Sequence, residues 1–468
     1  MITKELCQEV LQHALQTGGD FAEIFCESTY NNAYEMTSGK TTKITGNHTY
    51  GLSLRILKGF LEVNGYTNNL SRASLLDLAA KLAATFNDQA LGIKFLLKEE
   101  PVKQINSILR RPSQLSNDQK LNYLSKAYEA VKDFSPEIIQ TIGNIRDEEQ
   151  TVLIANSHGR FVKDFRSHLF MNFSVVVSDG KSTQTQTDNI GGHQGYELLD
   201  GKDIKDFAQK IATSALTMLH AEEMVGGKMT VVVHNAFGGV LLHEACVHSL
   251  EATMVAKGAS VFCNKLGTKV ATDIVTAIDD GTIPNAWGSL NVDDEGEPTK
   301  PNVLIENGIL KSYLVDYRNS RLMKHHLTGS SRRQNYRFGT TSRMTNTFFA
   351  PGKSTFEEII AATSFGLFAK KMGGGSVDPS TGEFNFAVNE GYMIENGKIT
   401  KPVRGATLVG SGSQVLLNID MIADNLAFGY GMCGSLSGSI PTNVGQPTIR
   451  VQNMTVGGRG TKAWITKA

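Results

Sequence analysis

The sequence has no excess charge of either sign, and its composition is not that of a disordered chain. Lys and Arg together number 46, and so do Asp and Glu, which gives a formal net charge of zero. A neutral chain has no overall attraction to nucleic acid or to anionic lipid, so direct binding to DNA is not expected. Hydrophobic residues make up 40% and charged residues 20% of the chain, a balance typical of a folded globular protein.

Long apolar runs and paired cysteines are also missing. No stretch approaches the roughly 18 consecutive apolar residues of a membrane helix, and residues 1–5 lack the basic and apolar segments of a secretion signal. The five cysteines are odd in number and widely spaced, which argues against a disulfide framework. We therefore expect a protein of the cytoplasm that has no membrane partner.

Proline is scarce, at 11 residues, whereas glycine is abundant, at 46 of 468 residues. Glycine therefore makes up about a tenth of the chain, against a typical share of about 7%. The excess indicates either turn-rich β structure or backbone loops that approach a site closely. A chain of this length is expected to form roughly two or three domains.

The chain divides near residue 225 into two halves with different patterns. In the first half, helical periodicity alternates with strand patterns, and short strands are expected at 21–27, 33–36, 50–57, 59–66, 138–146, 151–156, 161–165 and 169–178. Gly226 and Gly227 then precede a run of strand-forming residues. In the second half, Asn-Gly pairs that begin at Asn307 and Asn396 predict hairpins.

We predict an α+β fold with two domains. Residues 1–225 are expected to form an N-terminal α/β domain with mixed sheets, which serves substrate capture or subunit contact. Residues 226–468 are expected to form a C-terminal, mostly antiparallel β domain. This second domain carries the helical segment on which the chemistry of the sequence depends.

That segment contains a motif with metal-binding chemistry, which reads His243-Glu244-Ala245-Cys246-Val247-His248. In the metalloprotease pattern H-E-x-x-H, the two histidines lie about 40° apart on the helix and bind one zinc, while the glutamate polarises the bound water. Here the histidines are five residues apart, which separates them by about 140° on a regular helix. If both bind one ion, we predict a widened turn, a π-bulge, between them. The alternative is that both are hydrogen-bonded core residues.

A catalytic zinc typically has three protein ligands, so one more must come from elsewhere in the chain. The leading candidate is Cys433, because a thiolate is a strong zinc ligand and the neighbouring glycines permit a close approach to another element. Cys246 is a rival, since on a regular helix it lies within about 60° of His243. Either cysteine could instead be a small buried hydrophobic residue.

Many stretches of the sequence resemble the TldD/PmbA family, also called TldD/TldE, of cytoplasmic zinc metalloproteases that were once described as modulators of DNA gyrase. The similar stretches extend over nearly the whole chain and comprise residues 19–23, 239–251, 293–296, 304–308, 328–329, 332–333, 343–347, 433–434 and 445–448. Within the family the sequence is similar to the metal-binding TldD branch, because the PmbA/TldE branch lacks the metal ligands.

The resemblance implies a ligand set and a catalytic residue. His243, His248 and Cys433 would bind one Zn²⁺ per chain, and Glu244 would act as the general base. The sequence departs from the family at Val247, where glycine is usual. Because a β-branched residue is stiff, this departure bears on how easily the turn before His248 widens.

The resemblance also implies a function. We expect a zinc-dependent peptidase that hydrolyses peptide bonds in unfolded peptides or protein segments. The alternative is a catalytically weak or inactive zinc-stabilised subunit, or a regulator, of a hetero-oligomeric complex. The expected partner is either a second copy of the chain or a PmbA/TldE-like chain, in a homodimer or a heterodimer.

Residues 324–343 supply further candidates for substrate binding and oxyanion stabilisation, namely Arg332, Arg333, Tyr336 and Arg343, with His325 and His326 nearby. The alternative for these side chains is solvated surface charge. A separate acidic run, 293–295, lacks the glycine and the final glutamate of a calcium loop. We therefore expect turn hydrogen bonds there rather than a bound metal.

Overall fold

Strands much longer than the sequence patterns indicate form the first half of the chain. The structure, a computed structural model, describes residues 1–378 and 381–461. The strands of the first half are β1 Phe21–Thr37, β2 Lys40–Lys58, β3 Leu61–Thr67, β4 Lys98–Glu99, β5 Ile138–Asn156, β6 Arg160–Ser178, β7 Thr183–Gly192 and β8 Glu222–Glu223. Its helices are α1 Lys4–Ala14, α2 Arg72–Ala83, α3 Asn117–Glu129, α4 Glu197–Asp200 and α5 Ile204–Leu219.

The prediction of short, separate strands was wrong at three places. Each of β1, β5 and β6 is one continuous strand where two were expected. The polar stretch 28–32 interrupts the apolar alternation of β1, yet its backbone continues to pair with both β2 and β5. Backbone pairing needs no apolar side chain. The apolar alternation in the sequence therefore stops where the side chains are no longer buried, although the strand itself continues. For the same reason the polar strand β7 gave no signal.

The first-half sheet has the order β3-β2-β1-β5-β6-β4, with β7 paired to β6. Side chains of a strand alternate between its two faces. In β1 the even-numbered Ala22, Ile24 and Cys26 pack with α1 and α2 in one apolar cluster. The odd-numbered Phe25 packs on the opposite face with Tyr336 of the second half. The sheet therefore carries helices on one face and the second half of the chain on the other.

Most elements of the second half are short strands. These are β9 Gly227–Val233, β10 Ala277–Asp280, β11 Pro301–Glu306, β12 Ile309–Leu310, β13 Ser331–Arg332, β14 Thr341–Ser342, β15 Asn346–Phe349, β16 Phe365–Val377, β17 Glu383–Glu395, β18 Lys398–Arg404, β19 Ala406–Ser411, β20 Ile419–Ile422, β21 Ala427–Ser435, β22 Gly438–Gln446 and β23 Ile449–Gly457. The helices are α6 Val240–Ala245, α7 Ala252–Val255, α8 Tyr317–Met323, α9 Phe356–Ala361 and α10 Gly412–Asn418.

These strands form two main sheets that share one apolar core. One has the order β12-β11-β10-β15-β22-β21, and the other runs β16-β9-β23-β19-β17-β18-β8, with an extra pairing of β16 with β17. Most pairs are antiparallel, and α6 lies in the core that the sheets share. The predicted α+β fold, with a mostly antiparallel second half that carries the motif helix, is thus confirmed.

Both Asn-Gly hairpins form as predicted. Asn307 and Gly308 have φ of 48° and 80°, and Asn396 and Gly397 have φ of 51° and 72°. Two successive positive φ angles match the turn type that suits the twist of a two-residue hairpin. The division of domains at residue 225 stays a prediction. Among the described residues, no helix is long and apolar enough to span a membrane.

Buried ion pairs hold the first-half sheet against the second half. Glu23 of β1 accepts hydrogen bonds from Arg55 of β2 and from Arg333, each at 3.0 Å, and Arg55 also donates to Glu295 at 2.7 Å. All four side chains are at most 3% exposed. Removing one partner from such a network leaves an uncompensated buried charge, which is costly.

Glu23→Gln is therefore expected to lower the free energy of unfolding by about 3 kcal/mol, because Arg55 and Arg333 lose a shared counter-charge. The measurement is the midpoint of urea unfolding. Glu9→Gln serves as the matched control, since Glu9 pairs with Arg72 at an exposed surface and surface pairs contribute little. Equal midpoints for the two variants would contradict a role for this network in stability.

Candidate metal centre

The histidine motif lies at a point of close backbone approach. Gly239 precedes α6, and a Cβ built there would lie 2.5 Å from the backbone nitrogen of Gly445 in β22. Gly429 in β21 likewise lies against Phe237, whose Cα would be 2.7 Å from an added Cβ. Glycine is therefore required at both positions. These contacts bring α6, which carries His243, beside the hairpin β21–β22, which carries Cys433.

The predicted π-bulge between the histidines is not formed, and the structure corrects that prediction. The helix ends at Ala245, Cys246 takes φ −128° and ψ −59°, and a 3₁₀ turn over Val247–Leu250 carries His248. The break changes the direction of the chain, so residues five apart can face each other without a widened helical turn. Val247 is buried and does not take positive φ, so its backbone places no requirement for glycine there.

Three donor atoms converge at this break. His243 Nε2 lies 3.2 Å from Cys433 Sγ, and His248 Nε2 lies 3.3 Å from the same sulfur. All three donors lie within 4.8 Å of one another. In a tetrahedral zinc site with ordinary bond lengths, nitrogen and sulfur ligands are roughly 3.6 Å apart. The separations and the chemistry of the donor set therefore fit one zinc ion.

The electrostatics of the cluster favour a thiolate. Burial by itself would raise the pKa of Cys433, but the electrostatic interaction with His243 and hydrogen bonds from both imidazoles outweigh it and lower the pKa to about 3. Burial would lower the pKa of His248, yet the nearby Glu251 carboxylate and Cys433 raise it well above its usual value. A deprotonated thiol is the form that binds metal.

The carboxylate of Glu251 and the guanidinium of Arg343 contact the residues that carry these donor atoms. Glu251 Oε1 lies 3.3 Å from Nδ1 of His248, the ring nitrogen that does not face the sulfur. Arg343, which is fully buried, donates to the carbonyl oxygen of Cys433 at 2.6 Å and to that of Gly438 at 3.0 Å. Glu251 thus lies where a carboxylate partner of a metal-bound histidine commonly lies, and Arg343 fixes the hairpin.

Glu244 lies at the open side of the cluster. Its Oε2 is 3.6 Å from His248 Nε2, and its side chain is 30% exposed. The carboxylate can therefore reach a water molecule or a substrate group beside the three donors, which is the position a general base needs.

The rival ligand Cys246 lies elsewhere. Its side chain is 1% exposed and belongs to the apolar core of the second half. Burial raises the pKa of this thiol to about 12, so it stays protonated at neutral pH. The structure thus brings Cys433, and not Cys246, to the two imidazoles.

The four substrate-binding candidates lie in buried contacts. Arg332 donates to the carbonyls of Met344 and Pro441, and Arg333 to Glu23. Tyr336 donates its backbone N–H to Glu27 at 2.6 Å. Their role in substrate binding stays a prediction.

The remaining sequence candidates have other surroundings. His325 hydrogen-bonds the carbonyl of the neighbouring His326, which is exposed. The acidic run is satisfied by donors of the protein. Asp293 accepts from backbone N–H groups, Asp294 from Arg166 and Glu295 from Arg55. Sequence reasoning missed Glu251, although its position three residues after His248 on a helical turn was a usable signal.

Comparisons with known proteins agree with this geometry. Family models match three parts of the chain: PmbA/TldA metallopeptidase domain 1 at residues 22–85, the central domain at 110–219 and the C-terminal domain at 226–458. The Metalloprotease TldD homolog of Haemophilus influenzae is 34% identical over 94% of this chain and 93% of its own length. That of Buchnera aphidicola subsp. Acyrthosiphon pisum is 32% identical over 97% of this chain and 94% of its own.

Solved structures share the fold. A Thermotoga maritima protein described as a proposed modulator of a DNA gyrase aligns with a TM-score of 0.80 at 19% identity, over 97% of this chain and all of its own. TldE from Thermococcus kodakarensis aligns with a TM-score of 0.76 at 17% identity, over 97% of this chain and 100% of its own. The family models and the named relatives make the class that of the metallopeptidases. The chain belongs to the PmbA/TldD family.

Cys433→Ala is expected to reduce bound zinc from about one ion per chain to near zero, because two imidazoles alone make an incomplete site. Metal analysis of the purified protein measures this. Cys246→Ala is the matched control, since it removes a buried thiol from the same region and should leave zinc content unchanged. Full zinc occupancy in the Cys433 variant would favour Cys246 as the ligand.

Glu251→Gln is expected to weaken zinc affinity by about tenfold to a hundredfold, because the charge that orients His248 is lost. Competition with a chromophoric chelator measures the affinity. Glu244→Gln provides the comparison: its carboxylate faces the open side, so its zinc affinity should change little. Unaltered affinity in the Glu251 variant would show that this carboxylate does not support the site.

Proposed function

We propose that the chain is a zinc-dependent peptidase, with one Zn²⁺ held by His243, His248 and Cys433. The observation that carries this proposal is the position of Glu244, 3.6 Å from the donor atom of His248 and partly exposed. A carboxylate at the open side of a three-donor cluster has the place of a general base. The membership of the chain in a metallopeptidase family supports the same reaction.

Each residue of the site would have its own role in peptide hydrolysis. Zinc bound to the three donors would supply a Lewis acid that makes water more acidic and polarises the scissile carbonyl. Glu244 accepts a proton from the attacking water and transfers it to the nitrogen of the leaving amine. Glu251 holds the imidazole of His248 in orientation, and Arg343 holds the backbone of Cys433.

The proposed substrates are peptides or unfolded protein segments. The match of the chain to metallopeptidase family models supports the peptide bond as the bond that is hydrolysed. The side chain of Glu244 is 30% exposed, so its carboxylate is accessible to a bound peptide.

The setting of the enzyme is part of the same proposal. All five cysteines are free thiols, which supports a reducing, cytoplasmic compartment. The structural similarity to TldE, a protein of the same fold, supports a partner that is either a second copy or a TldE-like chain. The neutral charge of the chain supports no direct contact with nucleic acid.

Glu244→Gln is expected to lower kcat for peptide hydrolysis by about 10²-fold to 10⁴-fold, because the amide cannot accept the proton. Zinc content should stay at the wild-type level. Glu306→Gln, which changes an exposed glutamate of the second half, is the control and should retain activity. Wild-type activity in the Glu244 variant would reject its role. Absence of peptide cleavage by the zinc-loaded wild type would favour the inactive or regulatory subunit.

A further inference from the structure

A cavity of about 540 Å³ lies between the first-half sheet and the second half of the chain. Strands β1, β2, β5 and β6 form one side of the cavity. Met432 and Ile440 form part of the other side, and these residues flank the zinc ligand: Met432 precedes Cys433, and Ile440 is its partner across the hairpin. The cavity therefore adjoins the strand that carries the candidate metal site.

Most carboxylates at this cavity already have partners within the protein. Glu27 accepts from the N–H of Tyr336, Asp147 from Lys120, and Asp294 from Arg166, at 2.6 to 2.8 Å. These carboxylates therefore pair with cations or accept from backbone N–H groups of the protein itself. They leave little negative charge free for a further cation.

Arg332 is the exception among the buried cations of the cavity. Arg332 is 3% exposed, and within the described part of the chain its side-chain hydrogen bonds run from Nη1 alone, to the carbonyls of Met344 and Pro441. Within the part of the chain that the structure describes, it forms no ion pair with a carboxylate. Burial lowers its pKa to about 10, Asp294 opposes the shift, and Arg343 adds to it. The guanidinium remains charged at neutral pH, and an unpaired buried charge is costly.

His168 adds a second group without a hydrogen bond. Its two ring nitrogens are buried and make none, although Nδ1 lies 3.4 Å from a Glu148 oxygen. Burial, followed by the charges of Arg332 and Arg166, lowers the pKa of His168 to about 3. The ring is therefore neutral and leaves Arg332 without a competing charge on His168. Its ring centroid is 5.2 Å from that of Trp287, which also lines the cavity.

We propose that this cavity binds a carboxylate of the peptide substrate, with Arg332 as its counter-ion and the neutral ring of His168 in the lining. A guanidinium matches a carboxylate in shape and charge and binds it with two parallel hydrogen bonds where both are free. The inference rests on the proposed peptidase function. It adds a substrate class, peptides with a carboxylate a short distance from the scissile bond.

Two sources supply that carboxylate, the C-terminus of the peptide and an Asp or Glu side chain. Matched peptides separate them. One series carries Glu or Gln at each position in turn, and the other ends in a free acid or an amide. The zinc-loaded wild type should cleave one carboxylate peptide with kcat/KM at least about tenfold above its neutral partner, the effect of a buried charge-assisted hydrogen bond. Equal values for every pair would overturn the proposal.

Arg332→Gln should reduce this preference to about twofold or less, because the charge is lost while amide donors remain for the carbonyls of Met344 and Pro441. The ratio of kcat/KM for the two peptides does not change when a variant merely loses activity toward both of them equally. Arg332→Lys should restore part of the preference. Arg337→Gln, which removes an exposed cation at the same cavity, should leave the preference intact. A preference that survives in the Arg332→Gln variant would overturn the assignment.

A binding measurement separates this inference from the proposed hydrolysis. The chain has two tryptophans, so Trp464→Phe leaves Trp287 as the only indole. In that background with Glu244→Gln, titration with an acetylated alanine pentapeptide that contains the preferred carboxylate should change Trp287 fluorescence. The neutral pentapeptide should require at least about tenfold higher concentration. Binding without any cleavage by the wild type would reject the peptidase and not the carboxylate site. Cleavage without selective binding would reject the site alone.

Discussion

Two consecutive guanidinium groups connect the first-half sheet to the hairpin that carries Cys433. Successive side chains of an extended segment point to opposite sides, and Arg332 and Arg333 follow this rule. Arg333 reaches Glu23 in β1, whereas Arg332 reaches the carbonyl of Pro441 in the hairpin. Ten residues later, Arg343 binds the carbonyl of Cys433 itself. The position of the sulfur therefore depends on the charges buried between the two halves.

The break in the helix at Cys246 is the second constraint on the site. A continuous helix would separate His243 and His248 by about 140°, and an inserted residue in one turn was the obvious remedy. The chain instead ends α6 and begins a 3₁₀ turn. This arrangement takes one residue, Cys246, out of helical geometry, and the φ of that residue is negative. The next residue, Val247, is therefore compatible with the break even though its β-branched side chain is stiff.

The sequence was informative wherever a local pattern had a local cause. The motif residues, the Asn-Gly turns and the α+β fold followed from spacing and from residue type. The length of β1 depended on tertiary contacts, whereas Glu251 contacts His248 at a spacing of three residues, which is a local signal. The polar middle of β1 pairs because neighbouring strands continue beside it, and no pattern within the segment reports that. The guanidinium groups of 332–343 were recognised as a group, but three of their buried partners, Cys433, Pro441 and Glu23, lie 90, 109 and 310 residues away along the chain.

The net charge of the whole chain likewise does not report the surroundings of an individual buried residue. A zero balance of 46 cations and 46 anions describes the long-range field, which argues against nucleic acid. It says nothing about one side chain. Most buried guanidinium groups near the cavity have a carboxylate of their own, and the carboxylates close to Arg332 are already occupied by other donors. A neutral chain can therefore contain a buried guanidinium with no ion pair of its own, and the carboxylate that we propose as the partner of Arg332 would lie beside the hairpin of Cys433.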